Sequence, residues 1–132
     1  MHIVLCLDDR NGMLFNKRRL SSDKEVCQRI AEHASGKLWM NSYSAKLFAD
    51  VSVYVDEDFL QKAEAGDTCF VESPDFVQAE DRIESLTVYR WNRAYPADKK
   101  LPAEFLCRYH LSESIDFPGN SHETITEERY TK

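Results

Sequence analysis

The sequence predicts an α/β fold: a three-layer sandwich whose central sheet is mostly parallel and ends in antiparallel strands. Three observations carry this prediction. Four short apolar runs, at residues 3–7, 38–40, 51–55 and 68–71, each lead into a segment of helical character, the alternation that builds a parallel sheet. Each run closes on a polar residue, Asp8, Asn41, Asp56 or Glu72. After Ile83 helical periodicity stops and strand-like segments take over. Open parallel sheets bind ligands outside the carboxyl ends of their strands, so the four polar residues mark one functional edge.

Ile3-Val4-Leu5-Cys6-Leu7 is apolar at every position, the pattern of a central strand covered on both faces. A loop rich in charge runs from Asp9 to Ser21. Ser22-Asp23-Lys24-Glu25 fits a capping box with Ser22 as the cap, and Val26, Cys27, Ile30, Ala31 and Ala34 form one helical stripe until Gly36 stops it. Lys37-Leu38-Trp39-Met40 is the second strand, followed by a short helix capped by Ser42 or Ser44. The third, residues 51–55, runs into Asp56-Glu57-Asp58, an acidic start that suits the positive end of a helix dipole. Residues 68–71 are the fourth, and Ser73-Pro74-Asp75 opens another helix because proline fits the first turn. Further on, residues 85–91, 105–110 and 122–130 read as strands, with loops at 94–102 and 112–121.

With 132 residues, 42% hydrophobic and 30% charged, the chain suits one domain over residues 1–132, because a second core would leave too little apolar area for each. A net charge of −6 and a pI near 5.2 argue against bulk attraction to nucleic acid or to an anionic membrane. No stretch reaches the roughly 20 apolar residues that span a bilayer, and residues 1–8 are too short for a secretory leader. A cytoplasmic protein is expected. The cysteines, at 6, 27, 69 and 107, lack the paired spacing of a zinc or redox site and read as buried free thiols.

The order of strands and helices, with a closing hairpin, resembles dihydrofolate reductase in shortened form. Ile3-Val4-Leu5-Cys6-Leu7-Asp8 followed by Asn11-Gly12-Met13 is similar to that family's first strand and the mobile loop over its site. Asp23 sits close to where the family carries its substrate-binding acid, and Leu38-Trp39-Met40-Asn41 resembles the strand that leads into its cofactor-phosphate helix. Leu86-Thr87-Val88-Tyr89, then Asp98 and Pro102, match a late strand and loop. The departures fall on the cofactor. Glu72-Ser73-Pro74 stands where the family has paired glycines beside the pyrophosphate, and a carboxylate there repels phosphate. Asn41-Ser42 replaces a Gly-Arg pair, and Lys17-Arg18-Arg19-Leu20 replaces a Leu-Pro-Trp loop. The resemblance thus implies the fold, with no cofactor expected and at most weak NADP binding.

Asp8 and Asp9, at the end of the central strand, can bind a cation or share a proton, or can simply form a turn. Asp23 is either a ligand-binding acid or a first-turn helix stabiliser. Arg10, Lys17, Arg18 and Arg19 are the one local basic cluster, suited to a phosphate or to solvent. In residues 89–93 alternation puts Tyr89, Trp91 and Arg93 on one face and Arg90 and Asn92 on the other; the Arg90 face is expected to line the site, with core packing of the aromatics as the alternative. Pro118-Gly119-Asn120-Ser121-His122-Glu123 is a tight turn that presents His122, a side chain suited to acid–base work, although strand geometry makes Glu123 a poor partner for it. No Ser-His-Asp order, P-loop, zinc spacing or H-x-H-x-D-H nuclease signature is present, so no metal site is expected.

Three functions remain open from the sequence. The first is a binding protein for a nucleotide-like or pterin-like small molecule, lined by Asp8, Asn41, Ser42, Ser73, Arg90 and Asn92, without full reductase activity. The second is an enzyme whose candidate catalytic residues are Asp23, Arg90 and His122, either an NADPH-dependent reductase or a phosphodiester hydrolase that also uses Arg93. The third is a protein-interaction module, favoured if side chains fill the cleft. The oligomeric state is not encoded in any feature of the sequence.

Overall fold

The computed structural model describes residues 1–132. In chain order the elements are β1 (His2–Leu7), β2 (Gly12–Phe15), β3 (Arg18–Arg19), α1 (Lys24–His33), β4 (Leu38–Met40), α2 (Ser42–Ala45), β5 (Tyr54–Val55), α3 (Phe59–Lys62) and β6 (Thr68–Phe70). A 3-10 helix (Pro74–Arg82), β7 (Ser85–Arg90), β8 (Lys99–Lys100), α4 (Ala103–Leu106), β9 (His110–Phe117) and β10 (Ile125–Thr131) complete the chain. Seven strands form the main sheet in the order β5-β4-β6-β1-β7-β10-β9, and β3-β2-β8 form a small second sheet. From β5 to β7 every pairing is parallel, whereas β10 runs antiparallel to both β7 and β9.

Alternation along β1 splits the core into two layers, because successive side chains of a strand point to opposite faces. Ile3, Leu5 and Leu7 pack with Leu86, Val88, Phe59, Phe76 and Phe105 on one face. Val4, Phe70, Tyr89, Trp91 and Ile125 pack with Val26 and Ile30 of α1 on the other. The predicted sandwich with its C-terminal antiparallel hairpin is the fold of the protein. Asp8, Asn41 and Glu72 lie just past the ends of β1, β4 and β6, along one edge of the sheet.

Several local expectations change. Asp23, not Ser22, caps α1: its backbone is extended and its side chain accepts from the Glu25 amide. Asn41, not Ser42 or Ser44, caps α2. The expected third strand is reduced to β5. The charged loop holds the hairpin β2–β3, turned by Asn16 and Lys17 at φ 50° and 63°, the left-handed pair of a type I′ turn. Residues 105–110 are not a strand. Phe105 and Leu106 end α4 and, with Tyr109, enter the core, while Cys107 and Arg108 are exposed, a spacing that a strand cannot give. The ninth strand therefore occupies most of the expected 112–121 loop. Cys6 and Cys27 are half-buried, Cys69 is buried and Cys107 exposed, all as free thiols.

Candidate functional site

Asp8 ends β1 at the predicted edge, yet its carboxylate serves the chain itself. Oδ1 accepts from the amides of Arg10 (2.8 Å) and Gly12 (2.7 Å), and Oδ2 from the amide of Tyr95 (2.9 Å). Burial pushes its pKa up, but these three amide bonds outweigh that and hold it below the usual carboxylate range. A side chain at Gly12 would meet Asp8 Oδ1 at 2.9 Å, so glycine is what lets the loop close on this carboxylate. Asp9 is exposed, and no cluster of three or more His, Cys, Asp or Glu side chains is placed to hold a metal ion.

Arg90 also turns away from the cleft. Its guanidinium bonds Glu128 Oε1 (3.0 Å), the Asp8 carbonyl (3.2 Å) and Asn11 Oδ1 (2.6 Å), so it ties the end of β1 to β10. Asn92 bonds the Thr124 carbonyl and Thr126 Oγ1 at the surface. The opposite face of the strand, not the expected Arg90 face, meets the cleft, where Trp91 lines a slot of about 20 Å³ with Ser21, Asp23, Val26, Cys27 and Glu72. That volume holds about one water.

Asp23 at the slot is saturated. Oδ1 accepts from the amides of Glu25 and Asn120, each at 2.9 Å, and Oδ2 from the Ser121 amide (2.8 Å), the Ser121 hydroxyl (3.1 Å) and the His122 amide (3.2 Å). His122 Nδ1 lies 2.9 Å from the same Oδ2. Burial alone would raise the pKa, but the Asn120 amide, the His122 ring and the other donors hold the carboxyl far below its ordinary value. An ionised carboxylate only accepts, so Nδ1 carries the proton toward Asp23. The Nε2 atom then faces Ser21 Oγ at 2.9 Å, with Tyr95 Oη at 3.4 Å. Trp91 stacks on the ring at 4.7 Å between centroids and 22° between planes. Sequence order gave no Ser-His-Asp pattern, but the fold assembles one from the start of α1 and the turn 99 residues later.

Glu72 projects across the same edge and is locked. Arg19 Nε donates to Oε2 (2.7 Å) and Nη2 to Oε1 (3.0 Å), while the Ser44 hydroxyl donates to Oε1 (2.7 Å). The Arg19 guanidinium also lies over the Tyr43 ring, 4.2 Å from its centroid. So the basic cluster is divided: Arg19 turns inward, Arg10 and Arg18 stay exposed, and Lys17 faces a second, wider groove. This groove, about 410 Å³, is lined by Asn41, Tyr43, Ser73, Asn16, Lys17 and Lys99, together with Leu14, Glu72 and Asp98. Among the sequence candidates it unites Asn41 and Ser73. Ser42 is exposed, with its amide bonded to Glu57. Lys17 belonged to the basic cluster expected to suit a phosphate, whereas Lys99 and Tyr43 were not singled out, because only the small sheet β3-β2-β8 brings residue 99 to this groove.

No protein-family model matches the chain. No curated protein matches it either. A search of solved structures matches a dihydrofolate reductase from Enterococcus faecalis, complexed with NADP(H) and RAB-propyl, at a TM-score of 0.68. The chain has a dihydrofolate reductase-like fold. The alignment covers 99% of this chain and 95% of the other at 10% identity, so architecture is shared where side chains are not. Asp23 and Glu72 both line the slot, and internal partners occupy both carboxylates.

Proposed function

We propose that the protein binds an anionic, nucleotide-like small molecule in the groove between β2, α2 and the end of β6, and does not carry out NADPH-dependent reduction. The carrying observation is the Arg19–Glu72–Ser44 network past the end of β6, which leaves about 20 Å³ beside Asp23 while about 410 Å³ stays open next to it; this supports a ligand in the open groove and not a dinucleotide along the edge. The open volume falls within the range of ordinary ligand sites, roughly 300–1,000 Å³. Lys17 and Lys99 supply cationic groups for a phosphate, Tyr43 an aromatic face for a flat ring, and Asn41 and Ser73 polar contacts. Of the two inherited ligand classes the pterin is the poorer fit, since the lone pairs of Asp23 are already in use. NADP binding, if it occurs, is weak. The free thiols and acidic surface suit a cytoplasmic setting.

Titration calorimetry with AMP and with folate tests this. AMP should bind, Lys17→Ala with Lys99→Ala should weaken it by about tenfold or more, and Arg90→Ala should leave it unchanged. Absence of AMP binding, or binding indifferent to the lysines, overturns the assignment. A second reading, an interaction module, has its own support: the slot is nearly filled and edge strand β5 exposes Tyr54 and Val55. Failure of every small molecule would favour it.

A further inference from the structure

Ser21, His122 and Asp23 form a hydrogen-bonded series in which each member is oriented by the next. His122 and Asp23 are buried, whereas Ser21 is half-buried and lines the slot. Anchoring the residue 118–122 turn to α1 explains the Asp23 bonds, and it explains Gly119, where a Cβ would meet Asp23 Oδ2 at 2.8 Å. It does not require Ser21. The Ser21 hydroxyl has His122 Nε2 as its one hydrogen-bond partner, at 2.9 Å, and the far side of the imidazole is fixed by Trp91 and by Asp23. This is the geometry that lets a histidine take a hydroxyl proton as a nucleophile attacks.

We propose that Ser21 is the nucleophile of an ester-hydrolysing site for short acyl groups, with His122 as its general base and Asp23 as the residue that positions His122. Ser21 Oγ bonds to the ester carbonyl carbon as its proton passes to Nε2. Collapse of the tetrahedral adduct breaks the bond to the leaving alcohol, whose oxygen takes that proton. Water then attacks the acyl-serine by the same route, releasing the carboxylic acid and restoring Ser21. Asp23 stays ionised throughout, since its donors hold it so. The first-turn amides of Lys24 and Val26 have no protein acceptor and provide N–H donors at the same end of α1, where the helix dipole favours developing negative charge. The slot beside Ser21 is narrow, so short acyl groups are favoured over long ones. Ser21, His122 and Asp23 do not line the lysine-lined groove, which shares only Glu72 with the slot, so the proposal stands or falls independently of AMP binding.

The test uses the full chain, a fluorophosphonate probe and p-nitrophenyl esters. Mass spectrometry should find one phosphonyl adduct, on Ser21, and none in Ser21→Ala. The Ser21 side chain has a single bond, so this variant should keep the wild-type circular dichroism spectrum. Acetate turnover should fall about 100-fold in Ser21→Ala, the scale of a lost positioned proton transfer. Hexanoate should turn over about tenfold more slowly than acetate in the wild type. An adduct elsewhere only, no adduct, or acetate turnover in Ser21→Ala equal to wild type overturns the proposal.

Discussion

Asp23 carries more of the structure than any other polar side chain at the edge, because one carboxylate caps α1, holds the turn at residues 120–122 and orients His122. Asp23→Asn keeps the shape but converts charged acceptors into a neutral amide facing several N–H donors. It should lower stability by about 2–3 kcal/mol, the scale of hydrogen bonds to a charged group. Ser22→Ala should stay within about 0.5 kcal/mol, since Ser22 is exposed and does not cap the helix. The same carboxylate sets a pH dependence. Its folded-state pKa lies below the unfolded value near 4, so its contribution is complete above about pH 4 and is lost as acid carries the pH down toward the folded pKa. Urea midpoints measured between pH 7 and pH 3 should fall for the wild type and fall less for Asp23→Asn. Residue identity made Asp23 and His122 visible in the sequence as separate candidates. Their contact was not visible, because it joins positions 99 apart and depends on where β10 enters the sheet.

Among the elements, the parallel strands β1, β4 and β6 were legible because burial on both faces leaves an uninterrupted apolar run. The stretch around residue 105 was not, because its residue types alone, apolar at 105, 106, 107 and 109, suit a strand as well as a helical turn over so few residues. The two readings differ at Cys107, which strand alternation would place on the Phe105 face and α4 leaves exposed. A thiol reagent added to native protein at pH 8 should therefore modify Cys107 rapidly. Burial pushes the thiols of Cys27 and Cys69 up to about 11 and about 12, so both should react far more slowly, with Cys69 waiting on unfolding. Protection of Cys107 would return this segment to the sheet. The hairpin β2–β3 was missed for a different reason: Asn16-Lys17 lacks the glycine that usually marks a type I′ turn, although both residues adopt its left-handed conformation.

At the scale of the molecule, the sheet is dihydrofolate reductase-like, and internal partners occupy the carboxylates along its edge. The polar ends of the strands told where the edge lies, since position along a strand fixes that. They could not tell which side of residues 89–93 faces the cleft, and Trp91 rather than Arg90 does so. The departure at Glu72 was readable from the sequence as repulsion of phosphate; the structure adds that Arg19 neutralises and immobilises it, so steric filling matters beside charge. Breaking that ion pair by Arg19→Ala should cost about 2 kcal/mol, less than a fully buried pair because both side chains keep some contact with water. The most direct test of the altered edge is titration of the wild-type protein with NADPH in a calorimeter, beside an Arg19→Ala/Glu72→Gly variant in which the plug is removed. No heat of binding at micromolar concentrations for the wild type, with measurable binding in the variant, is the predicted result. Micromolar affinity of the wild-type protein for NADPH would contradict it.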